Sequence, residues 1–101
     1  MKVWVLQGCY EGELFSSVHF TEKGCALACI ADVLEFLGVE DNDTAQAVTG
    51  HDEPFEWDYD KMKEKKSKDL WKIFSDWTEI SWDRMSDRAY YIDAQPMEIQ
   101  G

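Results

Sequence analysis

The segment between Thr21 and Gly38 carries the signals of one amphipathic helix and restricts the fold more than any other stretch. Thr21 is a suitable N-cap, Glu22 favours the positive end of a helix dipole, and Gly38 is typical of the residue that ends a helix. One face repeats apolar side chains at the i, i+3, i+4, i+7 spacing: Ala26, Cys29, Ile30, Val33 and Leu37, with Leu34 at the edge. Asp32 and Glu35 fall on the opposite face.

Two neighbouring strands are predicted before that helix. Residues 1–6 are apolar apart from Lys2, and apolar side chains on both alternating faces are typical of a well-covered central strand. The chain then passes turn residues around Gly12 into residues 14–20, which alternate between two faces. One face holds Ser16, Val18 and Phe20, and the other holds Phe15, Ser17 and His19. The short glycine-containing link predicts a hairpin.

Two helices and a third strand are predicted after residue 38. Residues 44–49 form a short helix, and residues 60–80 form a long one. The apolar stripe of the long helix comprises Leu70, Ile73, Phe74 and Trp77. In residues 88–94, a strand predicted to end before Pro96, Tyr90, Ile92 and Ala94 alternate with Tyr91 and Asp93. The chain is therefore expected to be one domain over residues 1–101, an α+β fold in the order β-β-α-α-α-β, with a small antiparallel sheet and helices packed on at least one face.

The net charge of −11 belongs to the first part of the chain. Residues 1–60 carry two lysines and 13 acids, and between Gly24 and Asp60 there are ten acids and no Lys or Arg. Such a surface does not attract nucleic acid or an anionic membrane, because both require basic groups. No apolar run approaches the ~18–20 residues of a membrane span, and residues 1–6 lack the long apolar stretch of a signal peptide. Three cysteines without an export signal predict reduced thiols in a cytoplasm.

Residues 52–60 alternate aromatic and acidic side chains. If the segment is extended, aromatic rings line one side, and carboxylates ~6.5–7 Å apart line the other. This row of negative charge is of the same kind as a row of phosphates, and rings beside acids suit an Arg-rich partner. The predicted partner-binding residues are Glu40, Asp41, Asp43, Asp52, Glu53, Phe55, Glu56, Trp57, Asp58, Tyr59 and Asp60. The alternative is that the rings cap the core while the acids face water.

The cysteines suggest three readings. Cys25 and Cys29 share a helix face, and Cys9 with His19 would complete a tetrahedral zinc site if the hairpin brought them close. A Cys25 thiol of lowered pKa with His19 as its base would make a catalytic pair. Core packing is preferred, because free cysteine behaves as a small hydrophobe. A calcium loop starting at Asp41 is not completed by the residues that follow. We therefore expect no enzyme, no metal and no cofactor.

The opening of the chain resembles that of small phage and bacterial proteins in which two strands, the second ending in a Phe/Tyr-Ser/Thr cap, precede an amphipathic helix. The runs that carry the likeness are Lys2-Val3-Trp4-Val5-Leu6, Gly12-Glu13-Leu14 and Ser17-Val18-His19-Phe20-Thr21-Glu22-Lys23. In size and charge the chain is similar to small acidic phage inhibitors of host-defence nucleases, among them anti-CRISPR proteins. This resemblance implies an inhibitor in the host cytoplasm that blocks a basic, nucleic-acid-binding protein or ribonucleoprotein by nucleic-acid mimicry.

The sequence leaves open whether the chain self-associates and what the lysines after residue 60 contact. A small structural module would self-associate if residues 3–6 and 90–94 paired across a homodimer. The lysines of residues 61–72 either contact the partner or fold back over the acidic segment and neutralise it. Trp71 and Trp82 lie off the predicted apolar stripes, so at least one of them is expected to be exposed.

Overall fold

Three strands form an antiparallel sheet in the computed structural model, which describes residues 1–38 and 59–100. Strand β1 spans Lys2–Tyr10, β2 spans Glu13–His19, and β3 spans Tyr91–Glu98. The spatial order is β2-β1-β3, so β1 is the central strand, as its apolar composition predicted. The predicted α+β class and antiparallel sheet are confirmed.

Four helices are found in the described part of the chain. They are α1 (Glu22–Phe36), α2 (Tyr59–Met62), α3 (Ser67–Ile80) and α4 (Trp82–Asp87). Both predicted ends of α1 are confirmed: the Gly24 N–H donates to Thr21 Oγ1 over 3.0 Å, and Gly38 follows the helix at φ 75°. The short helix predicted at residues 44–49 lies outside the described residues. None of the described helices is both long and apolar enough to cross a membrane.

The prediction of one long helix over residues 60–80 is wrong. Helix α2 ends at Met62, and α3 begins only at Ser67. The intervening residues, Lys-Glu-Lys-Lys, contain no apolar side chain to bury, and helices of this size depend on tertiary packing. Lys61 and Lys65 also stand four residues apart, a like-charge spacing that opposes a continuous helix. Helix α4 was not predicted, and it places the side chain of Met85 in the core.

Two strand boundaries also differ from those predicted. Strand β1 continues to Tyr10, and the hairpin turns on Glu11 and Gly12, whose φ angles of 50° and 91° are those that a two-residue hairpin turn requires. Strand β3 begins at Tyr91 and runs through Pro96 to Glu98. Proline is tolerated there because β3 is an edge strand, where a missing N–H need not interrupt the ladder.

The core lies between one face of the sheet and the helices. Helix α1 contributes most of it, and α3 adds Leu70 and Trp77 from its predicted apolar stripe. The inner face of the sheet contributes Leu6 and Ile92, and Tyr90 joins them from the position just before β3. The sheet therefore has one face covered by helices, and its outer face determines much of the molecular surface.

Candidate functional site

Most of the site predicted from sequence lies outside the described residues. Those positions are Glu40, Asp41, Asp43, Asp52, Glu53, Phe55, Glu56, Trp57 and Asp58. Tyr59 begins α2, and Asp60 is exposed with a carboxylate oxygen 3.5 Å from Lys63 Nζ. Partner binding by the acidic segment, and its neutralisation by the lysines, therefore both stay predictions.

The outer face of the sheet exposes large apolar side chains. Leu6 belongs to the core, so the odd-numbered side chains of β1 lie on the opposite face, beside Val18 of β2 and Met97 of β3. Phe20 and Ile99 continue this alternation just beyond the two outer strands. The exposed large apolar residues of this outer face are Leu14, Val18, Phe20, Tyr91, Met97 and Ile99, with Leu14 at 85% and Phe20 at 75% exposure.

The outer face is almost uncharged, and one polar row divides its apolar surface into two ends. Along its middle strand, Val3 is buried while Val5 and Cys9 are half-buried, so they connect apolar side chains of the outer strands at each end of the face. Between the two ends, Gln7 pairs with Ser16 and Asp93 in an exposed polar row. Asp93 is the one charged side chain among the described strand residues of this face, and it accepts a hydrogen bond from the Tyr91 hydroxyl over 3.2 Å. A three-stranded face of this length covers about 350 Å², which the polar row shares with the apolar side chains. The largest exposed apolar patches on a monomer are often interaction sites.

A second feature, the acidic pocket, opens between β2 and α1. Among the described residues, four aromatic and three acidic side chains line this cavity of about 440 Å³ together with Leu14. The aromatic residues are Tyr10, Phe15, Phe36 and Tyr90, and the acids are Glu13, Asp32 and Glu35. Gly8 makes room for one wall, because a β-carbon at Gly8 would collide with the Phe15 ring and the Tyr91 carbonyl.

The pocket side chains hold one another in place. Phe36 and Tyr90 stack with ring centres 4.4 Å apart, and Tyr10 meets them edge-on at 5.9 Å and 6.1 Å. The Tyr90 hydroxyl donates to Asp32 Oδ2. Burial raises the pKa of Tyr90, and this hydrogen bond raises it further. Asp32, which fell on the polar face of the predicted helix, is therefore half-buried instead of fully solvated.

The structure does not assemble the predicted zinc set, and it does not support the reactive Cys25 thiol. Cys25 and Cys29 are fully buried, which confirms their predicted core packing. Burial raises the pKa of Cys25, so the lowered pKa considered for it is wrong. Cys9 and His19 lie on opposite faces of the sheet, and His19 Nε2 lies 2.8 Å from Ser17 Oγ. Within residues 1–38 and 59–100, no three His, Cys, Asp or Glu side chains are grouped to hold a metal ion.

Neither surface feature was identified from the sequence. The alternation of Leu14, Val18 and Phe20 was visible, but period-two alternation does not say which face a sheet buries. The acidic pocket joins residues from three separate stretches of the chain, and no local spacing predicts it. No protein-family model, curated protein or solved structure was found to match the chain.

Proposed function

We propose that this chain is a non-enzymatic binding protein that occludes a basic, nucleic-acid-binding partner. Its most concrete form is a phage inhibitor of a host-defence nuclease such as a CRISPR–Cas complex. The observation that carries the proposal is the outer face of the sheet, which presents six large apolar side chains to solvent. A soluble monomer gains nothing from exposing such a surface, whereas a binding protein uses it as the centre of an interface.

The outer face is large enough to supply affinity. Removing one large apolar side chain from water contributes about 1.5–3 kcal/mol, so six of them contribute on the order of 10 kcal/mol. Association costs about 4–15 kcal/mol in lost freedom. The face therefore supports a specific complex when polar contacts around it add to the apolar term.

Charge indicates which partner is favoured. Residues 39–58 contain seven acids and no Lys or Arg, and the whole chain carries −11. Two copies of the chain repel each other at long range, whereas a basic partner is attracted and its association is accelerated. Because the groups that bind phosphates are Lys and Arg, a protein that covers them competes with nucleic acid.

A matched pair of variants tests the proposal. Val18→Ser/Met97→Ser removes apolar side chains from the outer face, and Trp82→Ser removes an equally exposed one from α4. Wild type and both variants are each immobilised and exposed to lysate of a candidate host at 50 mM and 300 mM NaCl, and captured proteins are identified by mass spectrometry.

The expected partner is a basic nucleic-acid-binding protein that wild type and Trp82→Ser retain at low salt. It is lost from the double variant and displaced by high salt. Purified, it should bind DNA or RNA more weakly when wild type is added, as measured by fluorescence anisotropy. A capture profile identical for all three proteins, or partners that are acidic, would reject the proposal.

A second candidate function is self-association through the same outer face. It is favoured by the near absence of charge on the described strand residues of that face, since two copies would meet there without opposed Lys or Arg. Sedimentation equilibrium at 5 and 200 µM decides between the two. A dimer that Val18→Ser/Met97→Ser dissociates would support this candidate over a basic partner.

A further inference from the structure

We propose that the acidic pocket binds a guanidinium or alkylammonium group. Aromatic rings and carboxylates together make a favourable site for such a cation, because the rings attract it through their negative faces and the carboxylates neutralise it. The pocket combines four rings with three carboxylates around about 440 Å³, which is within the usual size of a ligand pocket.

The carboxylates of the pocket have no basic partner among the described residues. The ion pairs among the described residues are formed by other acids, namely Glu11, Asp60, Asp76 and Glu98. Asp32 interacts with the neutral Tyr90 hydroxyl, and Glu13 and Glu35 form no ion pair in the described part of the chain. An incoming cation would therefore meet uncompensated negative charge.

Two arginines close to the acidic pocket do not neutralise its carboxylates. Arg84 and Arg88 line a neighbouring cavity that shares Tyr10 and Phe36 with the acidic pocket. Arg88 Nη1 is 3.3 Å from Glu11 Oε1, in an exposed pair that joins the end of α4 to the hairpin turn. Neither arginine belongs to the described lining of the acidic pocket itself.

The chemistry of the walls favours an organic cation over a metal ion. A small divalent ion requires several oxygen ligands converging on one point, and the described residues contain no such group. Guanidinium is planar, more weakly hydrated than ammonium, and stacks on aromatic faces. Arginine, lysine and their methylated forms on a protein, or a free amine, present the same chemistry.

The pocket is connected to the outer face through Leu14, which belongs to both. A partner seated on the outer face would reach the pocket around the β2 edge and insert a basic side chain. The idea that a partner supplies the cation rests on the proposed function. Binding of a cation by the pocket does not depend on it.

The test titrates the full chain with small probes and follows the two-dimensional NMR spectrum. The probes are N-acetyl-arginine amide, N-acetyl-citrulline amide as its uncharged isostere, tetramethylammonium and a short Arg-containing peptide. The charged probes should shift signals of Tyr10, Glu13 and Phe36, and citrulline should bind at least about tenfold more weakly.

Paired charge variants locate the site. Glu13→Gln/Glu35→Gln should weaken binding about five- to tenfold, because two exposed carboxylates each contribute a few-fold. The control Glu64→Gln/Glu79→Gln makes the same change in net charge at exposed positions outside the pocket and should leave binding unchanged. Unfolding curves establish that each variant is folded.

Each outcome decides the inference. Equal binding of citrulline, equal weakening by both charge variants, or no shift with any probe would overturn it. Binding of every charged probe assigns a site for free organic cations, and binding of the peptide alone assigns it to a protein side chain. The two failures are distinguishable, because Val18→Ser/Met97→Ser leaves the pocket intact. If that variant and Trp82→Ser capture the same proteins as wild type while the charged probes still bind the pocket, the proposed function fails and this inference stands.

Discussion

At the scale of single residues, two tryptophans off the predicted stripe have different roles. Trp71 Nε1 donates to Glu22 Oε1 over 2.9 Å, and the Trp71 ring lies 5.7 Å from that of Trp4. This side chain therefore connects α3 to the first turn of α1 and to β1. Trp82 is 65% exposed, which confirms that at least one of the two would be solvent-accessible.

Replacing each tryptophan by phenylalanine separates these roles. Trp71→Phe keeps an aromatic ring but removes the donor to Glu22, so we expect the free energy of unfolding to fall by about 1–2 kcal/mol. Trp82→Phe should change it by less than about 0.5 kcal/mol. Urea denaturation followed by circular dichroism measures both, and equal losses would show that the hydrogen bond does not stabilise the fold.

The buried thiols predict a dependence of stability on alkaline pH. Burial raises the pKa of Cys29, and the neighbouring Cys25 thiol raises it further. The folded chain therefore keeps protons that the unfolded chain releases near the ordinary thiol pKa of about 8.5. Stability is fully present below that pH and declines as the pH rises above it, by at most about 1.4 kcal/mol per pH unit for each ionising group.

Urea titrations at pH 7.5, 9 and 10, at constant ionic strength and with reductant, measure this decline. Cys29→Ala removes the most strongly affected thiol, so its unfolding free energy should fall less steeply over the same range. Parallel curves for the variant and wild type would mean that other groups, such as the buried Tyr90, account for the pH dependence.

At the scale of elements, the start of α3 is weakly specified. Lys66 occupies the N-cap position with φ −73° and ψ 151°, and its side chain forms no cap hydrogen bond. A lysine there also opposes the positive end of the helix dipole. Helix α1, in contrast, begins with the Thr21 cap and Glu22 in its first turn. The interrupted helix of residues 60–80 therefore reflects both missing apolar contacts and a missing cap.

Lys66→Asp should stabilise the N-terminus of α3. The new carboxylate is placed to accept from the first-turn N–H groups and to interact favourably with the dipole, so we expect the free energy of unfolding to rise by about 1 kcal/mol. Lys65→Asp makes the same charge change one residue before the cap and serves as the control. An equal gain from both would attribute the effect to net charge, and thermal denaturation distinguishes the two results.

At the scale of the whole molecule, the two faces of the sheet have opposite surroundings. The inner face is buried under α1, and the outer face leaves Leu14, Val18 and Phe20 exposed. Exposed side chains contribute little to folding, which makes the outer face free to serve binding. The acidic pocket lies where β2 meets α1 and adds negative charge beside this apolar surface.

Substitutions on the outer face should therefore spare the fold. We expect Val18→Ser/Met97→Ser to change the free energy of unfolding by less than about 0.5 kcal/mol per site. The same variant should bind a hydrophobic fluorescent dye less than wild type does, whereas Trp82→Ser should reduce dye binding less. A large loss of stability would show that these side chains are packed in solution, and that outcome would remove the proposed interface.

Residue spacing and composition predicted the features that depend on residues close together in the chain. The Thr21 cap, the stripe of α1, the alternation in β2 and β3 and the confinement of net charge to the first sixty residues all follow from spacing and composition. The cap, the stripe and the alternation are decided within one or two turns of helix or a few residues of strand, where backbone geometry leaves few alternatives. The charge distribution is a matter of composition alone.

Tertiary structure decided the rest, because it depends on segments far apart in the chain. Tyr90 meets Asp32 across 58 positions, and Trp71 meets Glu22 across 49. Packing α1 on one face of the sheet makes Leu14 and Val18 surface residues and encloses Asp32, and either face would have satisfied the alternation. Which apolar side chains face water, and which acids share a pocket, is set by that choice of face.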